Sequence, residues 1–218
     1  MEKQATLALF DFDGTIIPGD SIVLYTRWAR KKGAMSRGKF LKACLAAIGY
    51  TLRLVSSERS KTIGLSFRMD FSEDERRLLD EEFVREVLLP IVYPRARQTI
   101  RRHWAQGRLP ILVTASTENY MLTVGRELGF AAVLASTMLP DGTVGKNCKG
   151  EEKTARVRKW LMENGLDADL TASYAYGDSK SDLPLLRMCG HPVQVNPKRA
   201  LRRAEPRMER ETWLPARR

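Results

Sequence analysis

The stretch that decides the fold is Leu7-Ala8-Leu9-Phe10-Asp11-Phe12-Asp13-Gly14-Thr15. A short apolar run ended by two acids and a glycine reads as a strand buried on both faces, the kind found in parallel sheets. Period-two geometry points Asp11 and Asp13 the same way if the strand continues, and Gly14 lets the backbone turn sharply just after them. Open α/β sheets bind ligands at the C-terminal ends of their strands, which is where the two carboxylates fall. Like charges so close repel unless a cation or a shared proton intervenes, so a bound metal is expected. A calcium-binding EF-hand loop also starts with alternating acids. Counted from Asp11, however, its sixth position is Ile16 instead of glycine and its twelfth is Ile22 instead of glutamate. A purely structural Asp-x-Asp-Gly turn is the other alternative.

Outward from this strand, which spans Thr6 to Phe12, further apolar runs bounded by turn residues read as strands at Leu109 to Thr114, Ala131 to Ser136, Ser173 to Tyr176 and Pro192 to Val195. Helix-length amphipathic segments lie between them. Pro94 to Gln106 starts on a first-turn proline and stops at Gly107, and Glu151 to Asn164 stops at Gly165. Alternation of strand and helix predicts an α/β fold with a mostly parallel sheet covered on both faces. The stretch from Ser21 to Leu89 breaks the alternation and reads as consecutive helices, an inserted cap. Within it, Leu41, Cys44, Leu45, Ile48, Leu52 and Val55 share one helical stripe, which the packing of the cap's own core would explain. Ser72 and Glu75 form an S-x-x-E capping box that starts a helix ending before Pro90.

The chain has 218 residues, 43% hydrophobic and 29% charged, which suits a globular protein with a full core. Thirty-seven basic against 26 acidic residues leave a net charge of +11, which draws the protein towards anions without saying which. The tail from Lys198 to Arg218 contributes +5 of this, from eight Lys and Arg against three Glu, and reads as a solvated, partly frayed terminus. Met1 to Thr6 has no basic region leading into an apolar stretch, so no export is expected. Cys44, Cys148 and Cys189 are odd in number and lack C-x-x-C spacing, which argues against a disulfide framework and a structural zinc site and fits the cytoplasm. The apolar segment from Phe40 to Val55 is too short to span a bilayer and contains Lys42 and Arg53, leaving only peripheral membrane contact open. No aromatic-rich basic motif accompanies the tail, so no nucleic-acid partner is expected. Oligomeric state is not encoded in any pattern that the sequence offers.

Three more groups fall at the ends of later strands. Thr114 places a hydroxyl at a strand terminus, and Ala115 and Ser116 follow at an expected helix start, where free N–H groups hold phosphate oxygens. Lys153 begins a helix after Gly150 and would neutralise a phosphoryl group, a role that Lys146 or Lys149 would take if the helix began elsewhere. Tyr176-Gly177-Asp178-Ser179-Lys180-Ser181-Asp182 supplies two further carboxylates.

Taken in order, Asp11-Phe12-Asp13-Gly14-Thr15, Thr114, Lys153 and Gly177 to Asp182 resemble the four motifs of the haloacid dehalogenase superfamily. The helical insertion, Asn147 to Lys153 and Asp182-Leu183-Pro184-Leu185-Leu186 are similar to its phosphoserine-phosphatase-like branch. The resemblance implies a Rossmann-like three-layer core, residues 1–20 and 91–218, carrying a helical cap over residues 21–90. It further implies Mg²⁺-dependent hydrolysis of a phosphate monoester through an aspartyl-phosphate. Asp11 would be nucleophile and metal ligand, Asp13 general acid and base and a ligand through its carbonyl, and Asp178 a metal ligand. Thr114, Ala115 and Lys153 would anchor phosphate, Gly14 would allow the turn, and Asp182 would orient the metal's water or Lys153. Asp20 stands where that branch has an acidic substrate contact, and is alternatively a helix N-cap. The expected partner is a small phosphorylated substrate such as phosphoserine or histidinol phosphate. The alternative is a lipid head group of the phosphatidylglycerophosphate or lysophospholipid kind, which the basic charge and the cap stripe motivate.

Overall fold

Strand β1 (Leu7–Phe10) is buried over its whole length at the middle of a six-stranded sheet. With β2 (Leu109–Thr117), β3 (Ala132–Ser136), β4 (Tyr174–Gly177), β5 (His191–Val195) and β6 (Glu209–Glu211), the order is β3-β2-β1-β4-β5-β6. Every pairing is parallel. The architecture comes from a computed structural model that describes residues 4–216. Residues 1–3 of the stretch read for an export signal, and Arg217 and Arg218 of the basic tail, lie outside the described residues.

The apolar run of β1 divides between two cores, as alternation demands. Ala8 and Phe10 join Leu112, Tyr176 and Val193 on one face, whereas Leu7 and Leu9 join Ile111, Val113 and Ala175 on the other. Phe10 stacks on Tyr176 at 4.5 Å between ring centroids. Helices α6 (Pro94–Ala105), α7 (Glu118–Leu128), α8 (Glu151–Glu163), α9 (Leu183–Met188) and α10 (Arg199–Ala204) connect the strands. This is the Rossmann-like three-layer arrangement, and its strand order reverses at β1, which has β2 on one side and β4 on the other.

Between β1 and β2 the chain is helical from Ser21 to Ile91: α1 (Ser21–Lys32), α2 (Arg37–Thr51), α3 (Ser57–Leu65), a 3₁₀ turn (Ser66–Asp70), α4 (Glu73–Phe83), a π turn (Val84–Leu88) and α5 (Leu89–Ile91). The four longer helices each start on a side-chain cap, from Asp20, Ser36, Ser56 and Ser72, the last with its reciprocal Glu75. Tyr25, Phe67 and Phe83 form the buried heart of the insertion, with Tyr25 stacked on Phe83 at 4.2 Å. Beside them Asp80 is held by Arg68 Nη2 at 2.5 Å, the Tyr25 hydroxyl at 2.6 Å and Asn119 Nδ2 at 2.7 Å. No helix among the described residues is long and apolar enough to cross a membrane.

Three expectations need correction. The α2 stripe does not pack inward: Leu41, Leu45, Ile48 and Leu52 are 56–63% exposed and Cys44 is exposed, while the buried positions of α2 are Ala43 and Ala46. Small residues let α2 lie close to α1 and α3, so its bulk apolar side faces out. The helix after Ser72 does not stop before Pro90. A π turn from Val84 to Leu88 shifts the hydrogen-bond register ahead of the proline, and α5 carries Pro90 in its first turn, where a missing N–H does no harm. The basic tail is not frayed over its described part. It forms α10 and the edge strand β6, then buries Trp213, whose N–H donates to Asn196 Oδ1 at 2.9 Å.

Candidate active site

Asp11 leaves the end of β1 with its N–H on the Tyr176 carbonyl of β4, at 2.9 Å, so the sheet's strand-order reversal fixes its place. It is 6% exposed. The first turn of α8 brings Lys153 Nζ to 2.6 Å from Asp11 Oδ1 and 2.7 Å from Asp182 Oδ1. Asp182 is fixed in turn, because its Oδ2 accepts from the Ser179 N–H at 3.0 Å and the Ser179 hydroxyl at 2.7 Å. Lys146 pairs instead with Glu152 and Lys149 with the Tyr50 hydroxyl, so of the three lysines Lys153 is the one that reaches Asp11.

Carboxylate oxygens of Asp11, Asp178 and Asp182 lie within 4.8 Å of one another, all buried. Three buried acids with oxygen donors alone form a set suited to a hard divalent cation. Asp178 also accepts from Lys198 Nζ at 2.7 Å. Burial, and next the charge of Asp182, raise the Asp11 carboxyl above the usual carboxylate range, against the pull of the Lys153 ammonium. Burial raises Asp178 as well. In Asp182 burial is outweighed by Lys153 and the Ser179 hydrogen bonds, which hold it below the usual range. Lys153 is buried yet raised, because Asp11 and Asp182 favour its charge more than burial opposes it.

Asp13 is turned differently. β1 ends at Phe10, so the expected period-two alignment with Asp11 does not carry through, although both acids line one cavity of about 160 Å³. Asp13 Oδ1 accepts from the Ser21 N–H at 2.8 Å, and its Oδ2 accepts from the Ser116 hydroxyl at 2.5 Å and the Ser21 hydroxyl at 3.1 Å. Burial, then the Asp20 charge, raise its carboxyl to about 6. Asp20 lines the cavity, and its Oδ1 caps α1 by accepting from the N–H groups of Ile22 and Val23.

Thr114 is buried on the cavity wall, with its Oγ1 accepting from the Ser116 N–H at 3.0 Å. Ala115 and Ser116 belong to β2, not to a helix start; the strand runs on to Thr117 and α7 begins at Glu118. Strand pairing of Thr117 with Ser136 of β3 keeps this segment extended past the expected end. The Ala115 carbonyl accepts from Lys61 Nζ at 2.5 Å, and Lys61 also donates to Asn147 Oδ1 at 2.6 Å. Asn147 Nδ2 donates to Ser57 Oγ at 3.0 Å, so α3 is fastened to the sheet's C-terminal edge through two of its side chains. Burial draws the Lys61 ammonium down to about 8.

Sequence reasoning missed Ser21, Lys61, Ser116 as a partner of Asp13, and Lys198. Lys198 follows β5 at the same edge as the other strand-end groups, and that rule could have found it. Ser21 and Lys61 sit in the insertion, where no pattern marks which residues face the core.

The model of the haloacid dehalogenase-like hydrolase family matches residues 8–187. A probable phosphatase of Mycobacterium tuberculosis is 30% identical over 209 residues, covering 92% of this chain and 72% of the relative. A histidinol-phosphatase of Neisseria meningitidis serogroup C is 30% identical over 207 residues, covering 88% and 90%. A protein of unknown function from Bordetella pertussis Tohama I has a solved structure that superposes with a TM-score of 0.86 at 27% identity, covering 95% of this chain and 98% of that one. The matched span takes in Asp11, Asp13, Thr114, Lys153, Asp178 and Asp182, β1 from Ala8 onward and all of β2, β3 and β4, so the chain belongs to the haloacid dehalogenase-like hydrolase family.

Proposed function

We propose that the chain is a cytoplasmic, Mg²⁺-dependent phosphatase that hydrolyses phosphate monoesters through an aspartyl-phosphate on Asp11. What carries this reading is the pairing of a buried carboxylate with a buried ammonium, Asp11 Oδ1 to Lys153 Nζ at 2.6 Å, on the wall of a cavity that Asp13 also lines. An anion entering there meets positive charge beside a nucleophilic oxygen.

In the first half-reaction an Asp11 carboxylate oxygen forms a bond to phosphorus while the bond from phosphorus to the alcohol oxygen breaks. Asp13 gives its proton to the departing alkoxide; a carboxyl raised to about 6 still carries a proton in part of the population near neutrality. In the second half-reaction a water oxygen attacks phosphorus, its proton passes to Asp13, and the Asp11 carboxylate is released with inorganic phosphate. Lys153, the Thr114 hydroxyl and the Ala115 N–H are assigned to the phosphoryl oxygens, and Asp182 keeps Lys153 in place. Asp11, the Asp13 carbonyl and Asp178 are assigned as ligands of Mg²⁺, which when bound screens Asp11 from the phosphoryl charge. Gly14 admits the turn that lets Asp178 approach.

Residues 21–90 act in this reading as a cap over the core of residues 1–20 and 91–218, held closed by Lys61 and Ser57. The cap therefore chooses the alcohol. The name of the Neisseria relative offers histidinol phosphate and the resemblance of the motifs offers phosphoserine, with Asp20 as the contact to an amino group. A phosphorylated lipid head group is the rival.

The decisive experiment is Asp11→Asn assayed on p-nitrophenyl phosphate and on any alkyl phosphate that the wild type cleaves. Turnover should vanish with the fold intact by circular dichroism. An Asn variant as active as the wild type would remove Asp11 from the chemistry.

A further inference from the structure

The cavity at Asp11 adjoins a groove within the insertion. Ile22, Tyr50 and Lys61 line both that cavity and this groove of about 460 Å³ between α1, α2 and α3. Character changes from one to the other. Lys61 and Lys149 line the cavity, whereas Val23, Phe40, Ala43, Ala47 and Ile48 give the groove a mainly apolar lining, with Thr26, Arg27, Thr51 and Ser60 among its polar positions. Tyr50 lines both, and its hydroxyl accepts from Lys149 Nζ at 2.9 Å. Ala43 and Ala47 are one helical turn apart on α2, and their small side chains leave the room that larger residues there would fill. Ile48 also belongs to the exposed row with Leu41, Leu45 and Leu52, so the apolar surface of the groove continues outward over α2.

An anion site beside a mainly apolar trough has the polarity of an amphiphile. A small zwitterionic alcohol would leave that trough wet, and the acid placed to meet an ammonium, Asp20, already spends one oxygen on two backbone N–H groups of α1. We propose that the substrate is the phosphate monoester of an alcohol with a single long apolar chain, whose phosphate lies at Asp11 and whose chain lies along α2 in the groove. This rests on the phosphatase reading and narrows its alcohol half. From Phe40 to Ile48 the helix rises about 12 Å, enough to run beside many methylenes of one extended chain.

The test uses the full chain with Mg²⁺ and a series of straight-chain alkyl phosphates, ethyl to decyl, each kept below its micellar concentration. The ratio kcat/KM should climb roughly threefold per added methylene until the groove is filled, since each buried methylene contributes about 0.8 kcal/mol at most. Decanol, which has no phosphate, should inhibit ethyl phosphate turnover competitively in the wild type. Ala47→Phe, which fills the trough, should cut the decyl-to-ethyl ratio of kcat/KM at least tenfold. Turnover of ethyl phosphate with a flat chain-length series and no decanol inhibition would overturn the groove assignment and leave the phosphatase standing. Absence of turnover on every member would overturn the phosphatase reading itself.

Discussion

A Cβ on Gly14 would stand 2.2 Å from Asp178 Oδ2, closer than real atoms approach. The backbone at Gly14 has φ +87°, so the turn after β1 brings main chain directly against the carboxylate that follows β4. Gly14→Ala therefore should do two things. The left-handed conformation costs about 1–2 kcal/mol for a residue with a Cβ, and the methyl displaces Asp178 from the acidic cluster. Because a shift of about 1 Å at a reacting centre costs on the order of a hundredfold in rate, kcat on p-nitrophenyl phosphate should fall by at least that factor. The Mg²⁺ concentration for half-maximal activity should rise as well. A variant with wild-type Mg²⁺ dependence would show that Asp178 does not need this contact.

Much of the core was legible because its signals are local. An apolar run such as Leu7 to Phe10 is buried on both faces wherever the sheet is parallel, and strand ends converge on one edge, so Asp11, Thr114, Lys153 and Asp178 could be grouped before their distances were known. What failed depended on tertiary pairing. Ser116 extends β2 only because Thr117 finds Ser136 opposite, and Glu209 to Glu211 become a strand only because β5 offers a free edge. The α2 stripe was misread because periodicity reveals an apolar face without saying whether anything covers it. Lys61 reaches the cavity and Ser21 reaches Asp13 through the way the insertion folds back, a relationship with no counterpart in residue spacing.

The Asp80 network should dominate the stability of the insertion. Asp80 and Arg68 are 3% and 6% exposed, and replacing Asp80 by Asn leaves the guanidinium buried without a counter-charge. Breaking such a pair costs about 3–5 kcal/mol. Urea unfolding of Asp80→Asn should show a loss of that size, and Arg68→Met in the same background should recover a large part of it. Additive losses from the two substitutions would mean that the pair is not coupled.

His103 should make stability fall on acidification. Its ring is 1% exposed and Nε2 lies 2.8 Å from the Tyr176 hydroxyl. Burial, and then the positive charges of Arg108 and Arg102, lower it from 6.5 to about 4. The unfolded chain takes up a proton below pH 6.5 while the native ring stays neutral, so stability drops as pH falls from about 6.5 towards 4. The loss amounts to ~3 kcal/mol at most. His103→Gln removes the titration. The difference in unfolding free energy between wild type and variant should therefore shrink from pH 7 to pH 4.5; a difference independent of pH would mean that the ring titrates alike in both states.

Metal removal should reveal itself in stability as well as in turnover. Asp11, Asp178 and Asp182 bring three negative charges within 4.8 Å, and Lys153 and Lys198 supply two positive ones, so a divalent cation would turn a local excess of negative charge into a positive one that attracts phosphate. A cation that binds the native state alone stabilises it by RT ln(1 + [L]/Kd), about 2.7 kcal/mol at a hundredfold excess over Kd. Wild-type Tm should therefore rise with Mg²⁺ and return to its starting value with EDTA, in parallel with activity on p-nitrophenyl phosphate. Asp178→Asn takes one carboxylate from the cluster and frees Lys198 from its partner without touching the Lys153 contacts to Asp11 and Asp182. Its Tm should hardly respond to Mg²⁺. Activity that survives exhaustive chelation, or an Asp178→Asn variant whose Tm climbs with Mg²⁺ as the wild type's does, would place the cation outside this cluster.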